Sequence, residues 1–269
     1  MRLYEIKAVP AIGRSVVKTE QDFFNNLDSI RLAIRQTLDD NIIYRGLGTV
    51  NIAYLEPGKY SRLPKQNQNY QMLMIDNNPM WARFPKRAQS IIGSNDHRYA
   101  STFGEAHVVF PVSNGSDNIA IAPTSDIYDS FDMETPAFNN LVLDLTKWIG
   151  GVNLAYNVTW DTLHSALEEV DLNNPFKYPN SSVRLYDIRP HLKTSYHIVE
   201  TILQRPEPVE QVLFKKLAPT HFSLVSYQDY SNPEHDAEIW FNTPTWVVPS
   251  GIWYDWVTDP EKLKLLQGG

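Results

Sequence analysis

Three segments, far apart along the chain, carry residue types that can bind an anion or stabilise a developing cation. The first is Ile42-Ile43-Tyr44-Arg45-Gly46. An arginine inside an apolar strand is costly to bury unless an anion or a carboxylate receives its fork. Gly46 and Gly48 lack a Cβ, so a ligand or another backbone can approach closely there. They do not form a dinucleotide fingerprint, because a third glycine is missing and no helical pattern follows. A structural salt bridge is the competing use for Arg45.

The second segment is Ser90-Ile91-Ile92-Gly93-Ser94-Asn95-Asp96, a strand running into small polar residues. Its end offers hydroxyl, amide and backbone donors to a ligand. The same pattern also describes a capped turn leading into a helix. The third is Asn232-Pro233-Glu234-His235-Asp236-Ala237-Glu238-Ile239-Trp240-Phe241, a polar loop entering an apolar strand. Strand side chains alternate, so Asp236 and Glu238 share one face. Such a pair either acts on a common substrate or stays solvated.

The rest of the chain must position these groups. It has 269 residues, 42% of them hydrophobic, enough for one large domain or two small ones. The net charge of −7 opposes phosphate-driven nucleic-acid binding except through a local basic face. The absence of cysteine removes disulfides, thiolate ligands and cysteine nucleophiles, and fits a reducing compartment. The seven histidines form no i,i+4 pair, so no metal is expected. No window is apolar enough for a membrane span, and the first residues lack the apolar core of a leader. A cytoplasmic location is therefore expected.

Helical spacing of Phe23, Leu27, Ile30, Ile34 and Leu38 predicts one helix over 19–41, opened by a Thr19/Asp22 capping box. Strands are expected at 42–46, 89–93, 107–112 and 118–122, with a short helix at 97–103. Residues 51–80 read as an irregular excursion. Helices follow at 137–149, 160–170, 195–204 and 207–217, then extended stretches at 222–227 and 238–248. This order gives an α+β class with a helical insertion at roughly 135–218, all within a single catalytic-type domain of 1–269. The insertion is expected to pack on the strands and wall one side of a cleft. Trp240 and Trp246 are assigned to the core. Trp253, Tyr254 and Trp256 fit either the core or a partner surface, with the core favoured.

Taken in order, the three segments resemble the arginine–serine–glutamate group of mono-ADP-ribosyltransferases. That family carries Arg on a first core strand, often as Tyr-Arg-Gly, then Ser-Thr-Ser ending a second strand, then Glu-x-Glu or Gln-x-Glu entering a late strand. Tyr44-Arg45-Gly46 matches the first, Ser94-Asn95-Asp96 keeps the leading serine of the second, and Asp236-Ala237-Glu238 keeps the final glutamate of the third. The resemblance implies a split β core with an N-terminal helix, and NAD as substrate with no metal. It implies Glu238 as the catalytic carboxylate, stabilising an oxocarbenium-like ribose, with Asp236 where the family selects its acceptor. Arg45 and Gly46 would meet NAD, with Arg45 on its pyrophosphate. Ser94 would orient the ribose or the glutamate, and Tyr99 or Phe103 would stack on nicotinamide. The acceptor would be a host macromolecule, most simply a protein. More loosely, 85–131 and the Glu-Ile-Trp-Phe strand resemble uncharacterised proteins of large tailed phages, which implies the cytoplasm of an infected bacterium. The alternatives are a NAD glycohydrolase, or a non-catalytic phage structural or interaction protein that retains the scaffold.

Overall fold

In a computed structural model, which describes residues 16–58, 75–127, 129–130 and 217–268, Thr19 opens helix α1 (Glu20–Phe24) as its sequence requires. The Thr19 hydroxyl accepts from the Asp22 N–H at 3.1 Å, and the Asp22 carboxylate accepts from the Thr19 N–H at 2.8 Å. The single helix expected over 19–41 is broken. A 3-10 turn at Leu27–Ile30 separates α1 from α2 (Arg31–Leu38). The cause is local: Asn26 and Ser29 spend their side chains on the carbonyls of Asp22 and Asn26, competing with the helical ladder. The apolar stripe survives the break, with Phe23, Ile30, Ala33 and Ile34 buried. Asp40, at a left-handed φ of 67°, then turns the chain into the first site strand.

The chain divides into two compact units. The larger comprises Lys7–Arg62, Phe84–Ile127 and His221–Gly269. The smaller comprises Met1–Ile6, Leu63–Arg83 and Tyr128–Thr220. Among the described residues the larger holds nine strands: β1 Val16–Val17, β2 Tyr44–Leu47, β3 Ala53–Leu55, β4 Ile91–Ser94, β5 Glu105–Pro111, β6 Asn118–Ile121, β7 Ser223–Ser226, β8 Glu238–Phe241 and β9 Thr245–Pro249. They form one antiparallel sheet in the order β1-β3-β9-β5-β2-β4-β8-β6-β7. With its helices this is an α+β architecture.

Two sequence expectations need refinement. The excursion at 51–80 contains β3 and a 3-10 turn at Pro79–Trp81. The extended stretch at 238–248 is two strands broken at Asn242-Thr243-Pro244. They are not neighbours: β8 lies between β4 and β6, whereas β9 lies between β3 and β5. The helices expected within 135–218 lie outside the described residues, apart from the last positions. In the smaller unit, Asn78 caps the 3-10 turn, and the buried Trp81 indole donates to the Leu217 carbonyl.

The core of the larger unit is aromatic. Phe23 packs edge-on against Phe110 and Trp246, with ring centroids 5.3 and 5.8 Å apart. Trp253 and Trp256 complete this cluster from α4 (Ser250–Thr258), which β9 feeds directly, while Tyr254 is exposed. Asp259 then caps α5 (Pro260–Gln267), accepting from the Glu261 and Lys262 N–H groups. No helix among the described residues is long and apolar enough to cross a membrane.

Candidate active site

Strand pairing gathers residues that the sequence scatters. Tyr44 lies opposite Ser94 in the β2–β4 pair, and Ser94 lies opposite Glu238 in the β4–β8 pair. Directly opposed residues of an antiparallel pair project from the same face. Ser94 and Glu238 are therefore side by side, sharing their face with Ile92 and Trp240. Arg45 follows Tyr44 on β2 and so alternates to the other face of the sheet from Ser94 and Glu238, opposite His107 of β5, and donates through Nη1 to the Ile92 carbonyl of β4.

Two glycines make this convergence possible. A Cβ built on Gly93 would fall 2.6 Å from Ile43 Cγ2 and 2.7 Å from the Tyr44 carbonyl oxygen, so only glycine lets β4 lie this close to β2. A Cβ on Gly46 would meet the Ala100 carbonyl oxygen at 2.1 Å and Phe103 Cβ at 2.8 Å. The backbone that approaches Gly46 is thus that of helix α3 (His97–Ser101).

The segment after β4 is a capped turn of the kind its sequence allows. Ser94 is 3% exposed, and its hydroxyl accepts from the Asp96 N–H at 3.0 Å. Asp96 caps α3 by accepting from the Arg98 N–H at 2.8 Å. Asn95 fastens the acidic loop instead: its amide donates to the Pro233 and His235 carbonyls and accepts from the Ala237 N–H at 2.7 Å. Asn232 ties the same loop to the end of α2, through Asn41 and the Asp40 carbonyl.

The two carboxylates occupy different environments. Asp236 is exposed on the loop before β8, whereas Glu238 is 5% exposed within it. The Glu238 backbone is fixed by the Thr124 carbonyl, which accepts from its N–H at 2.7 Å, and by the Ala122 N–H, which donates to its carbonyl at 2.8 Å. Its side chain meets a partner that sequence reasoning missed. Arg87 donates from Nε to Oε1 at 2.6 Å and from Nη2 to Oε2 at 2.7 Å. This is the bidentate fork, with both side chains largely removed from water. Arg87 sits in the 3-10 turn Arg87–Gln89 just before β4. The available signal was Glu238 itself, since a carboxylate in an otherwise apolar strand calls for a cation.

The expected aromatic residues stand on the α3 side. Tyr99 and Phe103 pack edge to face at 5.3 Å, and Phe103 is 42% exposed beside Gly46. A cleft of about 750 Å³ opens beside Tyr44, lined also by His97 and Ser250. Arg45, Ser94, Asp236 and Glu238 are not among its lining residues. No cluster of three or more metal-ligating side chains occurs among the described residues. No protein-family model matches the sequence, and no curated protein or solved structure matches it.

Proposed function

We propose that the chain cleaves NAD and transfers its ADP-ribose to a host macromolecule, within an ADP-ribosyltransferase-like split β core. The observation that carries this reading is the run of adjacent strands β2, β4 and β8, which bear Arg45, Ser94 and Glu238 in that order, with Ser94 in register with Glu238. NAD is the substrate. As the bond from ribose to nicotinamide breaks, its electrons leave with nicotinamide and positive charge builds on the ribose. A carboxylate close to that charge helps the transition state more than the ground state, which is the condition for raising the rate. Glu238 has this role and Ser94 orients the ribose, while Arg45 braces β4 through the Ile92 carbonyl. Arg87 must release Glu238 before the reaction, and the developing cation replaces the charge that Arg87 withdraws.

The test is incubation of the protein with labelled NAD and a bacterial lysate, alongside Glu238→Gln, which keeps the side chain's size while removing its charge. Transfer of label to a macromolecule by the wild type, with a loss of about 100-fold or more in the variant, is expected. No label transfer and no nicotinamide release sinks the proposal. Nicotinamide release at equal rates with and without lysate identifies a glycohydrolase instead.

The bidentate Arg87–Glu238 pair favours a second reading, in which the scaffold is retained without catalysis and both carboxylate oxygens serve stability. On this reading calorimetry detects no heat of NAD binding.

A further inference from the structure

The cleft beside Tyr44 carries a second, independent set of reactive groups. His97 Nε2 lies 3.2 Å from Ser250 Oγ, and both side chains line the cleft. A hydroxyl and an imidazole nitrogen at this separation form the basic unit of an activated nucleophile. The arrangement joins two distant elements: His97 is the first residue of α3, and Ser250 the first residue of α4. The Tyr44 ring meets the His97 ring edge-on, at 5.1 Å and 90°, and so fixes the imidazole plane.

Ser250 stands where strand β9 passes into α4, and no side chain caps that helix. The first-turn N–H groups of a helix have no intrahelical acceptor, and the helix dipole adds to their pull on negative charge. Ser250 is itself the first residue of that turn. The remaining walls are mostly apolar, with Leu38, Ile42, Val108 and Trp253 among them. Burial, with the nearby Asp40 charge, raises the Tyr44 phenol above its ordinary pKa, so it lines the cleft as a neutral group.

We propose that Ser250 and His97 form a nucleophile–base dyad that hydrolyses carboxylic esters with a small apolar acyl group. Ser250 Oγ attacks the ester carbonyl carbon while His97 Nε2 takes the hydroxyl proton, and the carbonyl electrons move onto oxygen. The N–H groups of the first turn of α4 stabilise that oxyanion. Its collapse expels the alkoxide, which leaves as alcohol with the proton from His97. Water then attacks the acyl-serine by the same route and releases the acid. The dyad requires the tautomer with its proton on Nδ1, leaving Nε2 as the acceptor. The proposal is independent of NAD.

The full chain is treated with a fluorophosphonate probe and the adduct mapped by peptide mass spectrometry, with hydrolysis of p-nitrophenyl butyrate followed in parallel. The expected result is an adduct at Ser250, abolished in Ser250→Ala, with labelling and hydrolysis slowed about 100-fold or more in His97→Gln. Thermal melts of both variants report whether the fold is kept. Absence of a Ser250 adduct on the folded wild type overturns the proposal. So does a His97→Gln variant that reacts at the wild-type rate.

Discussion

The guanidinium of Arg87 holds both carboxylate oxygens of Glu238, at 2.6 and 2.7 Å, and links the turn before β4 to the first residue of β8. Removing one member of a largely buried pair leaves the other charge without its counterpart. Arg87→Ala is therefore expected to destabilise the fold by about 3–5 kcal/mol, read as a lower urea midpoint. Replacing both residues together, as Arg87→Met with Glu238→Gln, is expected to cost less than the sum of the single changes. Additivity within about 0.5 kcal/mol would show that the contact is energetically idle.

Gly93 and Gly46 are expected to resist even the smallest side chain. Gly93→Ala sets a methyl against Ile43 and the Tyr44 carbonyl, and Gly46→Ala sets one against the Ala100 carbonyl. Each is expected to lower stability by about 1–3 kcal/mol, with Gly46→Ala the worse because its nearest obstacle is backbone. Gly48→Ala is the control, since nothing lies within 4 Å of a Cβ there. Thermal melts of the three variants give the order.

Asn95 bridges both sides of the acidic loop through its amide. Asn95→Ala is expected to cost about 1–3 kcal/mol, mostly from loop polar groups that lose their partner. It should also expose the segment around His235 and Asp236 to limited proteolysis. Cleavage there at the wild-type rate would show that Asn232 anchors the loop without help.

His107 gives the fold a pH dependence. It is fully buried, with Nδ1 2.8 Å from the Glu105 carbonyl oxygen and Nε2 3.2 Å from that of Asn51. Burial lowers its pKa from the ordinary 6.5, outweighing the two carbonyls that favour the proton. The unfolded chain therefore binds this proton more readily than the native one. The stabilisation is present above the unfolded value and is lost as pH falls through the lowered folded value. Between about pH 7.5 and pH 5.5 the wild-type urea midpoint should fall further than that of His107→Gln. Parallel profiles would remove His107 as the cause.

Much of the local structure follows from the sequence alone. The Thr19 capping box, the apolar stripe of the first helical region and four of the five strands between 42 and 122 are written in short-range patterns, because caps and alternation depend on neighbouring residues. The same patterns placed Arg45 and Glu238 at strand positions and Ser94 just past a strand expected at 89–93, whereas the observed strand runs Ile91–Ser94 and includes it. They also held the capped-turn reading of Ser94-Asn95-Asp96, which is how Asp96 is used. The break in the first helix lay in the sequence too, in Asn26 and Ser29, but periodicity alone masks it.

Only the tertiary structure decided which residues meet. Pairing of β4 with β8 brings Ser94 opposite Glu238, and the side-chain rule of period two fixes faces within a strand without naming its neighbour. The splitting of 238–248 into two strands that part to separate places in the sheet is of the same kind. A buried glutamate demands a cation, yet nothing local distinguishes Arg87 from the other basic residues of the chain. His97 and Ser250 show the limit most clearly. Each is unremarked in its own segment, and their 3.2 Å contact exists because strand β9, hydrogen-bonded to β5, ends in α4 beside the start of α3.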